Sequence, residues 1–308
     1  MTESPDSNSG FPGLGFGLRM RREYLDLTLQ SLPDVDWFEV IPESFIGGDE
    51  QLLRQLDQLA SRYPITLHGS SLGIGSPWPL DHDYLRRLKA LIDRLDPQWF
   101  SDHICWRGAD AIQGRLLPLP HSSETLEHVV QRIVRVQEIL GRRILLENIP
   151  LKMAAAATDI PEAEFLSCVA EHADCMILLD IANLHASSVN QNFDALDYLA
   201  ALPAGRVRQI HLAGAVALCG RQENPPDPVW ELYLEALKFF GPIATLIERM
   251  DTLASLEDMV EELQKARCSV SQLSAAADCR MRISVVIPTH QRAALLPRAL
   301  SSVYAQTL

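Results

Sequence analysis

Residues 175–183 read CMILLDIAN. An uninterrupted apolar run fills most of this stretch, and it ends at Asp180. The short length of the run and its branched side chains favour a buried β-strand over a helix. Because a lone buried carboxylate is costly unless a positive group faces it, this strand predicts a cation or a cationic partner beside Asp180.

Seven further apolar runs of the same kind occur along the chain. They span residues 13–19, 36–43, 64–69, 98–104, 143–149, 207–214 and 243–250. Between the eight runs lie amphipathic patterns typical of helices, near residues 21–32, 50–62, 83–95, 123–140, 161–173, 193–202, 228–240 and 252–266. This alternation indicates parallel strands joined by right-handed crossovers.

The alternating region has the size of a known architecture. Residues 13–266 span about 250 residues, which is typical of a (β/α)8 TIM barrel, and we predict that α/β fold. A doubly wound open sheet is the alternative, and it would place a glycine-rich phosphate loop after the first strand. The glycines of GLGFGLR (13–19) lie within the predicted strand, so the open sheet is disfavoured.

Composition excludes several classes of partner. The chain has 308 residues and a formal net charge of −13, without a basic cluster, which disfavours nucleic acid and anionic membranes. None of its six cysteines forms a C-x-x-C pair, so they are predicted to be reduced thiols. We see neither an apolar signal sequence nor a run of about 18–20 apolar residues, and we expect a cytoplasmic protein.

Polar residues follow seven consecutive predicted strands. They are Glu43, His68, Asp102-His103, Glu147-Asn148, Asp180, His211 and Glu248-Arg249. Each one alone could be a cap or a structural residue, but a closed barrel brings the carboxyl ends of its strands to one face. Carboxylates packed there would repel one another unless a metal lay between them.

The type and number of these side chains constrain the metal. Oxygen and nitrogen donors without thiolates favour Fe, Mn, Co or Zn. Three histidines and three carboxylates exceed what one ion needs if positions are to stay open for substrate. More than one metal is therefore predicted, and Glu147, with two oxygens, could bridge a pair.

A series of motifs then resembles one family over residues 13–266. In order, they are WFEVIPES, LHGSSLGIGSP, SDHICW, LLPLPHSSETL, ILLENIP, ILLDIAN, IHLAG, PDPVW and TLIE. The series is similar to the multinuclear non-heme iron-dependent oxidases, which include the methanobactin-biosynthesis oxidase. The resemblance implies a xylose-isomerase-like barrel with two or three irons that uses O2 to modify residues, often cysteine, of ribosomally made peptides. It also implies a small partner protein that recognises the peptide leader.

The resemblance also implies roles for individual residues. One iron would be held by His68, His103 and Glu147. The second would be held by Glu147, Asp180, His211 and Glu248, so that Glu147 is shared by both irons. Glu147, Asp180 and His211 are the predicted catalytic residues. Support of the ligands or contact with substrate is expected from Glu43, Asp102, Asn148, His185 and Arg249.

The sequence departs from the family where a third iron would bind. Ala182 and Ala215 stand at two positions where family members often carry a ligand, and no D-x-H precedes PDPVW (226–230). We therefore predict a dinuclear site with a mixed Fe(II)/Fe(III) pair and O2 as co-substrate. His185, which we place in a loop after the sixth strand, is expected to face substrate rather than replace the missing ligand.

The ends of the chain are predicted to lie outside the barrel. Residues 1–12 are polar and expected to be disordered, and residues 267–280 have the composition of a linker. Residues 281–308 resemble the first strand and helix of family 2 glycosyltransferases but lack the rest of that domain. They are predicted to be a truncated βα fragment.

Two other functions remain open at this point. The same barrel could hold Mn, Mg or Zn in a sugar isomerase or epimerase. The absence of ligand side chains at Ala182 and Ala215 could also indicate a metal-binding scaffold that is inactive.

Overall fold

The computed structural model describes residues 13–107, 116–151, 158–213, 227–248 and 255–278. By its internal contacts the chain divides into two units, residues 1–268 and 269–308. The strands of the barrel described below all lie within the first unit.

Eight parallel strands form a closed barrel in the order of the sequence, with β1 paired to both β2 and β8. The strands are β1 (Phe16–Met20), β2 (Trp37–Val40), β3 (Ile65–His68), β4 (Phe100–His103), β5 (Ile144–Glu147), β6 (Met176–Asp180), β7 (Val207–Ala213) and β8 (Ala244–Glu248). All eight coincide with predicted runs, and the predicted TIM barrel is confirmed.

Helices connect the strands. Among the described residues they are α1 (Leu25–Ser31), α2 (Glu50–Ala60), α3 (His82–Leu95), α4 (Ser123–Leu140), α5 (Glu162–His172), α6 (Ile181–Gln191), α7 (Ala195–Ala201), α8 (Pro228–Phe240) and α9 (Leu256–Asp278). Aspartate or serine caps several of them, and Asp81, for example, accepts from the backbone N–H groups of Asp83 and Tyr84 at the start of α3.

The alternation of side chains along each strand divides the barrel interior into two levels. Leu145, Leu178 and Leu246 belong to one buried apolar cluster, together with Trp37 and Trp99. Two residues further along the same three strands stand the acids Glu147, Asp180 and Glu248. Because residues i and i+2 of a strand face the same side, the acids lie above this cluster, toward the carboxyl ends of the strands.

Gly17 provides a test of how tightly the lower level is packed. A Cβ at Gly17 would lie 2.3–2.8 Å from three ring atoms of Trp37, which is fully buried and in edge contact with Trp99. We expect Gly17→Ala to lower the free energy of unfolding by about 2–3 kcal/mol, measured by denaturant titration. Gly205→Ala is the control, because a Cβ there meets no atom within 4 Å. Equal stability of the two variants would contradict the packing described.

One local prediction was wrong. Residues 181–191 form α6 rather than a loop, because the Asp180 side chain accepts from the backbone N–H of Asn183 and starts a helix directly at the strand end. The predicted linker stays a prediction, and its residues 267–278 continue α9. Three consecutive alanines at 275–277 and the absence of glycine and proline are compatible with a helix here.

Several predictions fall on residues outside the described ranges. They concern residues 1–12, Ala215, the segment before PDPVW, Arg249 and residues 281–308. Of the helices that the structure describes, none combines the length and the apolar character needed to cross a membrane.

Candidate metal centre

Three adjacent strands bring the first predicted group of ligands together. His68 ends β3, His103 ends β4 and Glu147 ends β5. Glu147 Oε2 lies 3.1 Å from Nε2 of His68 and 3.1 Å from Nε2 of His103. These three side chains form one of the groups whose donor atoms are close enough to hold a metal ion.

The other oxygen of Glu147 faces a second group. Glu147 Oε1 lies 3.4 Å from Nδ1 of His211, and the same nitrogen is 3.6 Å from Oε2 of Glu248. Glu147, Asp180 and His211 also have donor atoms close enough for one ion. Glu147 therefore stands between the two groups with one oxygen toward each, which is the arrangement needed for a bridging carboxylate.

The donor atoms fit a metal better than they fit one another. His211 Nδ1 and Glu147 Oε2 are buried and have no hydrogen-bond partner among the described residues. Buried polar atoms are normally paired. A first-row metal with bonds of about 2.1 Å requires donor atoms roughly 3.0–3.4 Å apart, which matches the separations around Glu147.

Hydrogen bonding sets the orientation of His68. Its Nδ1 lies 2.9 Å from Oγ of Ser101, and that hydroxyl is 3.3 Å from the Leu67 carbonyl oxygen. If Ser101 donates to Leu67, it accepts from the Nδ1–H of His68. The lone pair of His68 then resides on Nε2, which faces Glu147.

Burial and neighbouring charges shift the pKa values of Asp180 and Glu147 in opposite directions. Burial raises the pKa of Asp180 to about 7, and the Glu147 carboxylate adds to that effect. Burial would also raise the pKa of Glu147, but the charges of His103, His211 and His68 outweigh it and hold that pKa well below its usual range. One carboxylate is thus balanced by imidazoles, and the other lacks a sufficient counter-charge.

The pKa values of the three histidines reflect the same competition between burial and nearby charges. Burial lowers the pKa of His68 to about 4. Burial also opposes the charged form of His103, but the nearby Glu147 outweighs it and raises the pKa of His103 to about 9. Burial opposes the charged form of His211 as well, and Glu39 and Glu147 together raise its pKa well above the usual value.

Asp102 and Asn148 support the strand ends. Asp102 Oδ2 accepts from the backbone N–H groups of Ser71 and Leu72 at 3.1 Å, which holds the loop after β3. Its Oδ1 is 3.9 Å from Nδ1 of His103, too far for a hydrogen bond. Asn148 accepts from the backbone N–H of Asp180 at 2.8 Å and donates to its carbonyl at 3.1 Å.

Glu43 and His185 lie outside the donor groups. Glu43 is not the end of β2 but part of a 3-10 turn, Pro42–Ser44, because the strand ends at Val40. Its Oε1 accepts from the Ser70 backbone N–H and from the Tyr84 hydroxyl. His185 stands in α6 and belongs to none of the potential metal groups found among the described residues.

Sequence reasoning missed two fully buried polar residues, Glu39 and Gln209, and the half-buried Arg19. Arg19 of β1 forms an ion pair with Glu248 and lies 3.6 Å from Glu39 Oε1. Glu39 and Gln209 point into the barrel below the strand ends and contact His211. Arg19 could have been found as the polar residue ending the first predicted strand. Glu39 could have been found by the period of two in WFEV (37–40).

A cavity of about 650 Å³ opens above the donor groups. His68, His103, Glu147, Asp180 and Glu248 line its floor, and Ile41, Leu116, Pro150 and Ala182 contribute apolar surface. Ala182, in the first turn of α6, occupies the position where the family resemblance places a further ligand. Its methyl group cannot coordinate a metal.

The sequence matches known proteins over most of its length. The model of a family described as "RiPP precursor modification enzyme MbnB/TglH/ChrH" matches residues 14–271. A UPF0276 protein of Anaeromyxobacter sp. (strain Fw109-5) is 44% identical over 270 residues, which cover 86% of this chain and 94% of that protein. A UPF0276 protein of Caulobacter vibrioides (strain NA1000 / CB15N) is 42% identical over 265 residues, covering 83% and 94%.

Solved structures share the architecture at low sequence identity. A D-psicose 3-epimerase superposes with a TM-score of 0.57 at 12% identity, covering 84% of this chain and 98% of that one. A xylose isomerase domain containing protein from Salmonella typhimurium LT2 also gives a TM-score of 0.57 at 12% identity, covering 85% and 99%. At this identity the similarity concerns the fold, and it agrees with the xylose-isomerase-like barrel that we predicted.

Proposed function

Since this chain belongs to the family of RiPP precursor modification enzymes MbnB/TglH/ChrH, we propose that it is an iron- and O2-dependent oxidase of a ribosomally made peptide. We further propose cysteine as the residue modified. The observation that carries the proposal is the position of Glu147, whose two oxygens face two separate sets of buried donors.

The proposed centre assigns each donor to one of two irons. His68, His103 and Glu147 would hold the first, and Glu147, Asp180, His211 and Glu248 would hold the second. When bound, a mixed Fe(II)/Fe(III) pair would supply a site for a substrate thiolate and for reaction with O2. Nitrogen and oxygen donors without thiolate suit iron in this role.

The surrounding residues would position these ligands and control access. Asn148 fixes the backbone at Asp180, and Ser101 orients His68. The apolar residues of the cavity wall would limit water around the reacting groups, which would strengthen the electrostatic interactions inside. Arg19 lines the same cavity beside Glu248 and adds a positive charge to a carboxylate-rich floor.

We propose two metals rather than three. Ala182 lines the cavity without a donor atom. The proposal includes a mixed-valence state of the two irons. It also relies on Ala215, which offers no ligand atom, and on the absence of a D-x-H pair before PDPVW. We also propose a partner protein that recognises the peptide leader, and a cytoplasmic location. The location is favoured by the free thiols of Cys105, Cys168, Cys175 and Cys268.

Metal analysis under anaerobic conditions tests this function. We expect the purified protein to contain two irons per chain and to show a thiolate-to-ferric absorption band when a cysteine-containing peptide is added. O2 uptake should then depend on that peptide, and the serine version of the same peptide is the matched control. Zinc or manganese as the sole metal, with no O2 uptake, would contradict an oxidase and favour an isomerase-like activity.

A further inference from the structure

The two ring nitrogens of His211 face different surroundings. Nδ1 points to the oxygens of Glu147 and Glu248, at 3.4 and 3.6 Å, and has no hydrogen bond. Nε2 lies 2.9 Å from Oε2 of Glu39, on the opposite side of the ring. Both His211 and Glu39 are fully buried, so neither contact is shared with solvent.

Gln209 of β7 holds the side chain of Glu39 in place. The Nε2 amide group of Gln209 donates to the same Glu39 oxygen at 2.7 Å. Gln209 and His211 are two residues apart on β7 and therefore face the same side of the strand. Their side chains converge on one carboxylate oxygen from β2, across the interior of the barrel.

Trp99 fixes which way round the Gln209 amide lies. Its indole Nε1–H can only donate, and it donates to Oε1 of Gln209 at 2.5 Å. The reversed amide would place two donors against each other. The NH2 group of Gln209 must therefore face Glu39, and the same nitrogen also lies 2.8 Å from Nε2 of His211. A carboxylate can only accept, so a lone pair on His211 Nε2 would face the charged Glu39 oxygen at 2.9 Å, whereas an Nε2–H donates to it. The charge of Glu39 thus favours the Nε2–H form in spite of the neighbouring amide.

We propose that Glu39 is a positioning residue that holds His211 in the Nε2–H form, so that Nδ1 carries the lone pair offered to metal. This rests on the proposed centre and adds to it a fixed tautomer of one ligand. An acceptor on the far nitrogen of a metal-binding histidine fixes the ring and increases its basicity as a ligand. Trp99 and Gln209 would act through Glu39.

A separate ion bound by Glu39, His68 and His211 is the alternative, because their donor atoms are also close enough. The contacts favour the positioning role. His68 already directs Nδ1 to Ser101 and Nε2 to Glu147. The Glu39 oxygen nearest His211 already receives two nitrogens, and its other oxygen lies 3.6 Å from the guanidinium of Arg19.

Cobalt titration of the metal-free protein tests the proposal without any turnover. Glu39→Gln keeps the shape of the side chain and removes its charge. We expect this variant to bind the same number of Co(II) ions as the wild type, with about 10–100-fold weaker affinity for one of them. Thr66→Val is the control, because Thr66 is equally buried on β3 and its hydroxyl has no partner among the described side chains.

A direct reading of the tautomer needs no variant. In the zinc-loaded wild type, long-range ¹H–¹⁵N NMR correlations of His211 should show a proton on Nε2 and metal on Nδ1. The reverse assignment would overturn the inference. So would wild-type cobalt affinity in Glu39→Gln, or the loss of one whole cobalt from it, which would make Glu39 a ligand.

The failure of this inference can be separated from that of the proposed function. If the wild type binds no cobalt or zinc, the centre itself is wrong, and the inference falls with it. If it binds both metals with His211 in the expected tautomer but never consumes O2, the role of Glu39 stands and the oxidase is wrong.

Discussion

Glu147→Gln should leave the protein without either metal. The substitution preserves the size of the side chain but removes the carboxylate charge that faces both donor groups. We expect metal content to fall to less than about one tenth of the wild-type value and peptide-dependent O2 uptake to become undetectable. Elemental analysis after anaerobic purification and oxygen-electrode measurements check both results.

The same variant should also be less stable when metal has been removed from both proteins. Glu147 is the main counter-charge of His103 and shares His211 with Glu39, so its replacement removes the counter-charge of one imidazole and part of that of another. Breaking a buried ion pair by removing one partner costs about 3–5 kcal/mol. We expect a loss toward the lower end of this range near about pH 6, because the imidazoles can lose their protons instead.

Glu43→Gln is the matched control for this experiment. Glu43 is also partly buried near the strand ends, but its oxygen accepts from Ser70 and Tyr84, and a glutamine oxygen can replace it in both bonds. Its metal content should equal that of the wild type. If Glu147→Gln retained two metals, or if Glu43→Gln lost them, the assignment of the bridging carboxylate would be wrong.

The strand-end residues were predictable because a closed parallel barrel converts a one-dimensional pattern into a site. An apolar run followed by a histidine or an acid places that side chain at the carboxyl end, and closure brings such ends together. His68, Glu147 and Asp180 are the last residues of their strands. The pattern of the sequence therefore predicted the barrel and brought these residues to one face without any further information.

Residues one level deeper were harder to predict. Glu39 stands before the last residue of β2, inside a run that reads as apolar, and its partners lie on β7 far along the sequence. Because no local pattern reports a contact across the barrel, only the coordinates reveal that Glu39 and Gln209 meet His211. The same limit explains Glu43, which the strand-end rule selected although β2 ends three residues earlier.

The start of α6 shows a second limit. Asp180 is both the last residue of β6 and the N-cap of α6, so no loop separates strand from helix. Periodicity could not reveal this helix, since the apolar residues in IANLHASSVNQ (181–191) are sparse. One oxygen of Asp180 serves the helix, which makes the residue both structural and a candidate ligand.

Asp180→Asn separates these two roles. The asparagine oxygen can still accept from the Asn183 backbone N–H, so the cap should survive, while the charge needed for metal is lost. We expect the variant to lose the metal assigned to Asp180, Glu147, His211 and Glu248. Asp180→Ala should lose the same metal and, in addition, about 1 kcal/mol from the missing cap.

The metal-free form of Asp180→Asn should be more stable than the metal-free wild type at about pH 8. Burial and the charge of Glu147 raise the pKa of Asp180 to about 7 in the folded protein, so its ionised form is disfavoured there. An acid whose folded pKa is raised lowers stability as pH increases from its unfolded pKa, near 4, to its folded pKa. Asparagine carries no such penalty.

The difference between the two proteins should therefore depend on pH in a defined direction. Near about pH 4 their free energies of unfolding should be similar, and by about pH 8 the variant should lead by on the order of 2–4 kcal/mol. Denaturant titrations of both proteins in the presence of a chelator measure this difference. A constant difference across the range, or a wild type that is more stable at high pH, would mean that Asp180 is not a crowded buried carboxylate. Asp180 would then lack the poorly countered buried charge that favours metal binding.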